Sequence, residues 1–190
     1  KVVLRGIEGT VVLEFKVPRI GSRIDALLIA GAAIFVIEFK VGESSFARSA
    51  INQVWDYALD LKNFHEASHS APIIPILVAT KAPASQGDFQ NMHADGVFRP
   101  ACCIPGDIPR FIAEMLAKVD GPQIDAIEWI DAPYRPTPTI VEAARVLYSH
   151  HSVEAIARHD AGVRNLGITS RRVEQLVDEA KRFNRKAIIF

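Results

Sequence analysis

Residues 24 to 40 read IDALLIAGAAIFVIEFK, and the way this stretch pairs with itself decides the fold. Two apolar runs flank Gly31-Ala32, and the stretch carries three charged side chains, Asp25, Glu38 and Lys40. Both runs are rich in Ile, Val, Leu and Phe and read as adjacent strands of a buried sheet. A two-residue loop with Gly first suits a type II′ hairpin turn. That turn pairs Ala30 with Ala33 and, counting outward, sets Asp25 across from Glu38. Lys40 lies two residues further on and points to the same face as Glu38. Opposed side chains in such a pair begin about 5 Å apart, where like charges destabilise. Two facing carboxylates among apolar neighbours also lose hydration. A divalent cation between them removes the conflict, so the simplest reading of Asp25 and Glu38 is a metal site with Lys40 beside it.

The flanking sequence extends this hairpin into a sheet. Residues 11 to 17 alternate, with Val11, Leu13, Phe15 and Val17 on one face and Glu14 and Lys16 on the other, a half-buried strand. A turn at Pro18 to Gly21 brings Glu14 opposite Asp25. Glu14 is then either a third carboxylate at the site or part of a solvated face with Lys16. After Lys40, Ser44 or Ser45 caps a helix running to about Phe64. Its apolar face is Phe46, Ala50, Ile51, Val54, Trp55, Ala58 and Leu61, and Gln53 and Tyr57, four apart, share another side. Pro72 to Thr80 is a further strand. Strand, helix, strand of this length implies a right-handed crossover and a parallel neighbour. The fold class is therefore α/β: three antiparallel strands, a helix, then a parallel strand.

Residues 81 to 96 read as a polar loop, and Val97 to Ile104 as a short strand interrupted at Pro100. Asp107 caps a helix with Pro109 in its first turn and Phe111, Ile112, Met115 and Leu116 facing inward. Ala126 to Ile130 is a last strand candidate. Residues 133 to 138 form a Pro-rich, extended connector between a domain over 1–132 and a helical segment over 139–190. In that segment Thr139 and Glu142 have capping-box spacing and open a helix to about Ser149. A second helix follows Ser152, and a third runs from about Ser170 to Phe183.

Composition narrows the function classes. The chain has 190 residues, 49% hydrophobic and 23% charged, with formal net charge +0, the profile of soluble globular proteins. Neutrality excludes a general polyanion binder, so a nucleic-acid partner needs a local basic surface. Arg19, Arg23, Arg48 and Lys62 are either that phosphate-contacting rim or ordinary surface. No apolar run approaches the ~20 residues that span a bilayer, and no signal peptide is evident. Cys102 and Cys103, adjacent and the only cysteines, do not form an unstrained disulfide and read as packing in a reducing, cytoplasmic compartment. A start at Lys1 in a strand-like KVVL reads as a piece of a longer protein. His65-Glu66-Ala67-Ser68-His69 matches HExxH, the zinc metalloprotease pattern. That chemistry needs both histidines on a continuing helix and a third ligand, for which only Glu114 and His93 offer themselves. The pattern falls at a helix end, so a zinc hydrolase through His65, Glu66 and His69 stands only as an alternative. His150 and His151 read as an interhelical turn and His159 as a helix end.

With the acids and lysine placed, the chain resembles a known superfamily. Asp25 followed by Glu38-Phe39-Lys40, on the second and third strands ahead of a helix, resembles the PD-(D/E)XK nucleases. Gln53-Val54-Trp55-Asp56-Tyr57 is similar to the QxxxY motif of the RecB-like branch. Ile24 stands where that pattern usually has proline. The stretches NQVWDYALDLKNFH and PYRPTPTIVEAA also resemble the N-terminal region of bacterial nuclease–helicase fusions related to schlafen-type ATPases. The likeness to the nuclease core covers about residues 10 to 80 and implies a restriction-endonuclease-like fold. It implies Asp25, Glu38 and Lys40 as catalytic residues, with Asp25 and Glu38 holding Mg²⁺ or Mn²⁺. It gives Gln53, Tyr57 and Glu14 supporting roles and implies nucleic acid, DNA foremost, as substrate. It also implies a C-terminal P-loop ATPase in the full-length protein, although no GxxxxGK[ST] lies in this sequence. Family members carry a helix ahead of the first strand, for which this chain has no room. The chemistry agrees: phosphodiester hydrolysis needs an activated water and charge neutralisation at phosphate, and Mg²⁺ is held by one or two carboxylates plus waters. A nuclease-fold domain that binds nucleic acid or docks a partner without catalysis is the competing expectation.

Overall fold

The computed structural model describes residues 6–18, 21–86, 93, 95–148 and 182. The hairpin forms as the turn chemistry dictates. Strands β2 (Arg23–Ala30) and β3 (Ala33–Lys40) pair antiparallel from Ala30↔Ala33 outward. Gly31 takes φ 54°, which the first position of a type II′ turn requires and which costs a residue with a Cβ about 1–2 kcal/mol. Gly31→Ala is therefore expected to lower stability by about 1 kcal/mol, read as a lower urea midpoint at unchanged slope.

Strand β1 (Thr10–Lys16) pairs antiparallel with β2. Helix α1 (Arg48–Phe64) then crosses to β4 (Ile73–Ala79), parallel to β3, and β5 (Ala101–Cys103) adds parallel to β4. The result is an α/β fold around a five-stranded mixed sheet ordered β1-β2-β3-β4-β5. Strands β3 and β4 read as unbroken apolar runs because both of their faces are covered. On one face Leu27, Ile34, Val36 and Leu77 pack with Val54, Ala58 and Leu61 of α1. On the other, Leu28, Phe35, Ile37 and Ile76 pack with Phe111, Ile112 and Met115 of α2 (Ile108–Leu116). No helix among the described residues is long and apolar enough to cross a membrane.

Several local expectations are corrected. The β1 alternation breaks at Glu14, whose φ of 54° makes it the one non-glycine residue in the left-handed region among those described. Val12, Phe15 and Val17 consequently face the α1 side, while Val11 and Leu13 point outward, Leu13 being 69% exposed. Helix α1 is preceded by Ala47 with no side-chain cap rather than by Ser44 or Ser45. The main chain at Glu43 is tied to Lys40 and Lys81, which holds this loop on the sheet and delays the helix. Asp107 does precede α2 but makes no capping bond; its Oδ2 accepts from Ser85 Oγ at 2.6 Å instead.

Ala126 to Ile130 is not a strand but most of helix α3 (Ala126–Asp131), because the Asp125 side chain accepts from the N–H groups of Ile127 and Glu128 and so caps a first turn. Lys62 is no rim residue. It is 7% exposed, and its Nζ donates to the Ala71 carbonyl at 2.8 Å. Cys102 and Cys103 are buried and unpaired, and burial pushes the Cys103 thiol up to about 12.

The chain divides into one unit over Lys1–Thr137 and a second over Pro138–Phe190. Within the second, helix α4 (Pro138–Tyr148) occupies the place of the capping-box helix. The expected helices after Ser152 and from Ser170 to Phe183, together with Arg19, His150, His151 and His159, lie outside the described residues, Arg182 alone excepted.

Candidate active site

The site forms where β2 and β3 stop sharing main-chain hydrogen bonds. From the turn outward the hydrogen-bonded pairs are Ala30/Ala33, Leu28/Phe35 and Ala26/Ile37, and the next in the alternation is Ile24/Phe39. The paired register ends at Ala26↔Ile37. Beyond it, Phe15↔Ile24 ties β2 to β1, while residues 38–40 pair with β4. The Phe39 N–H, left without its strand partner, donates to Asp25 Oδ2 at 2.8 Å. Asp25 therefore has a structural duty: one carboxylate oxygen replaces a missing backbone acceptor. The distortion is shared across the sheet. Ile24 and Leu27 both join the core on the α1 side, a break in β2's alternation at Asp25. The break lies at the register step where Glu14 adopts its left-handed backbone.

Glu38 follows Ile34 and Val36 on the same side of β3 and faces α1. It is 5% exposed. Its Oε1 accepts from Lys40 Nζ at 2.8 Å, while its Oε2 is buried with no hydrogen-bond partner. Burial raises the Glu38 carboxyl above its ordinary range and the nearby Asp25 charge adds to that, while the Lys40 hydrogen bond and charge and the Asp25 main chain oppose it. The expected proximity of the two acids is thus present.

Lys40 also donates to Gln53 Oε1 at 2.9 Å, and Gln53 Nε2 donates to Tyr57 Oη at 2.8 Å. Gln53 and Tyr57 meet because i and i+4 side chains share a helix face, and α1 lies over β3 and β4. Glu38, Lys40, Gln53 and Tyr57 thus form one chain of hydrogen bonds, with Asp25 as the second acid beside Glu38.

Glu14 does not join them. Its Oε2 pairs with Arg23 Nη1 at 2.9 Å on the surface, so neither residue is held at the site. Among the described residues no cluster of three or more His, Cys, Asp or Glu side chains is placed to hold a metal ion; Asp25 and Glu38 are a pair. The HExxH stretch does not form the continuing helix that the zinc reading requires. His65 follows the end of α1, and Glu66–Ser68 is a 3₁₀ turn, so the two histidines do not stack on one continuing helix. Glu66 faces Arg135 at 3.5 Å.

One contributor was not legible in the sequence. Thr80 Oγ1 accepts from the Gly42 N–H at 2.8 Å, and Thr80 N–H donates to the Lys40 carbonyl. Together these fix the main chain that leaves Lys40, and a threonine at a strand end carries no signal of such a role. No protein-family model, curated protein or solved structure matches the chain.

Proposed function

We propose that the chain is a metal-dependent nuclease module of PD-(D/E)XK type, with a restriction-endonuclease-like core, hydrolysing phosphodiester bonds in nucleic acid, DNA foremost. In this reading it serves a larger nuclease–helicase protein. The observation that carries it is Glu38 Oε2, a carboxylate oxygen buried without a partner beside a second acid. Buried acceptors are almost always satisfied, and a pair of carboxylates against one lysine leaves a net negative charge that suits a cation. Mg²⁺ takes one or two carboxylates readily, so Asp25 and Glu38 fit as its holders. When bound, it supplies positive charge for the phosphate oxygens and acidifies the attacking water.

The remaining tasks fall to the chain itself. Lys40 spends two of its three donors on Glu38 and Gln53, leaving one direction for the attacking water or a phosphate oxygen. Gln53 aims the ammonium, and the Tyr57 hydroxyl fixes Gln53. The test is cleavage of single- and double-stranded DNA and RNA by the purified chain in Mg²⁺ or Mn²⁺. Cleavage that needs metal and disappears in Asp25→Asn supports the proposal. Asparagine keeps an oxygen for the Phe39 N–H, so that variant stays folded and isolates the lost charge. No cleavage of any substrate, or cleavage surviving in Asp25→Asn and Lys40→Ala, overturns it.

A second reading has its own support, since two of the three Lys40 donors and one oxygen of Asp25 are already engaged within the fold. In that case the chain binds nucleic acid without cutting, and affinity falls steeply with salt while metal changes nothing.

A further inference from the structure

The segment that leads out of the first unit is strapped to the end of α1, and the strap closes over a histidine. Glu66 N–H donates to the Pro133 carbonyl at 3.1 Å, Arg135 N–H to the Phe64 carbonyl at 2.6 Å, and Thr137 N–H to the Asn63 carbonyl at 2.9 Å. His65 and Tyr134 form an isolated antiparallel bridge. The His65 side chain sits inside this contact, 1% exposed. Its ring stacks on Trp129 at 4.2 Å between centroids and meets Tyr134 edge-on at 5.4 Å and Phe15 at 6.3 Å.

The His65 ring has Ser68 as its side-chain hydrogen-bond partner. Trp129 Nε1 can only donate, and it donates to Ser68 Oγ at 2.9 Å. Ser68 Oγ, with one proton and two lone pairs, also lies 3.0 Å from His65 Nδ1. His65 Nε2 is buried with no hydrogen-bond partner. Protonation makes both ring nitrogens donors and places a charge in an aromatic cage. The charged and titratable groups around the clasp offer little relief. On the 3₁₀ turn, His69 repels a charge on His65, and Glu66 is turned to Arg135. On α1, Asp60 lies against Tyr134 and Lys62 is bonded to Ala71. Phe15 and Trp129 contribute no charge from β1 and α3.

We propose that His65 is a proton-sensitive clasp: neutral, it holds Pro133–Thr137 on the end of α1, and protonated, it releases that segment while the sheet stays folded. Burial, reinforced by His69 and opposed by the Trp129 backbone, lowers the His65 value from 6.5 to about 4. A base depressed in the closed state stabilises closure above its free value, and that contribution is lost as pH falls from about 6.5 towards 4.

Native-state hydrogen exchange followed by NMR tests this. Between pH 7.5 and 4.5, protection factors at Arg135 and Thr137 should fall on the order of a hundredfold, while Val36 and Leu77 in the central strands stay far better protected than the strap at every pH. In His65→Phe, which fills the cage without a titrating group, and relative to a His69→Gln control that keeps the fall, strap protection should be flat over this range. The proposal is overturned if wild-type strap protection is flat, if the fall persists in His65→Phe, or if the central-strand amides are no better protected than the strap.

Discussion

In the proposed nuclease reading, Glu38→Gln is expected to slow metal-dependent phosphodiester cleavage by about 10²–10³-fold and, in EDTA at pH 7.5, to melt at a higher temperature than the wild-type chain. Both effects follow from one carboxylate. Glutamine keeps an oxygen for Lys40 Nζ, which now donates to Glu38 Oε1 at 2.8 Å, so the local frame survives. What disappears is the charge that a divalent cation needs. In metal-free protein that charge is a burden, since burial is the largest influence on Glu38 and Asp25 adds to it.

A carboxyl raised on folding stabilises the fold while protonated, below its ordinary 4.5, and the contribution is lost as pH rises through its folded value. The wild-type chain thus carries the cost at neutral pH and the variant does not. Thermal melts in EDTA and in excess Mg²⁺ check this: the wild type should gain from Mg²⁺ and the variant should not, a stability–activity opposition seen where a site is built for a ligand. A variant that melts lower than wild type in EDTA, or that cleaves at the wild-type rate, contradicts the account.

Trp129→Ala is expected to cost about 3–5 kcal/mol, the range for emptying a buried indole, and to lower the thermal midpoint by roughly 10–15 °C. Trp129 is 1% exposed; its ring lies against His65 and Phe15, and its Nε1–H is bonded to Ser68. Removing it opens a cavity beneath the strap and leaves Ser68 without its donor. Trp129→Phe, which keeps a ring against His65, should lose markedly less. Chemical denaturation of both variants checks the ranking, and equal losses would place the energy in the Ser68 hydrogen bond instead of in packing.

The hairpin was legible because its turn is local. Gly31 supplies the positive φ, the two-residue loop fixes the register, and counting alone brings Asp25 and Glu38 together. The α1 face was equally legible, since i and i+4 spacing puts Gln53 beside Tyr57. Other positions misled for identifiable reasons. Ala126 to Ile130 has a strand-like composition, yet Asp125 caps it into a helix. Val11, Leu13, Phe15 and Val17 alternate perfectly, yet one left-handed residue at Glu14 reverses which side faces the core. Lys62 carries a charge that sequence places at the surface, yet the Ala71 carbonyl accepts its ammonium in the interior.

By itself the sequence determined the order of elements from β1 to β4, the hairpin register that brings Asp25 near Glu38 and Lys40, and the pairing of Gln53 with Tyr57, because each depends on spacing along one hairpin or one helix. Only the tertiary structure decided the state of those groups: that Asp25 caps Phe39 where two strands part, that Lys40 bridges β3 to α1, that Glu14 is taken by Arg23, and that Glu38 keeps one oxygen buried and unsatisfied. The strap over His65 belongs there as well, since it joins residues some seventy positions apart. The reason is common to all of these. A side chain's periodicity fixes its face, but its partner and its hydration depend on which distant backbone groups the folded sheet leaves unpaired.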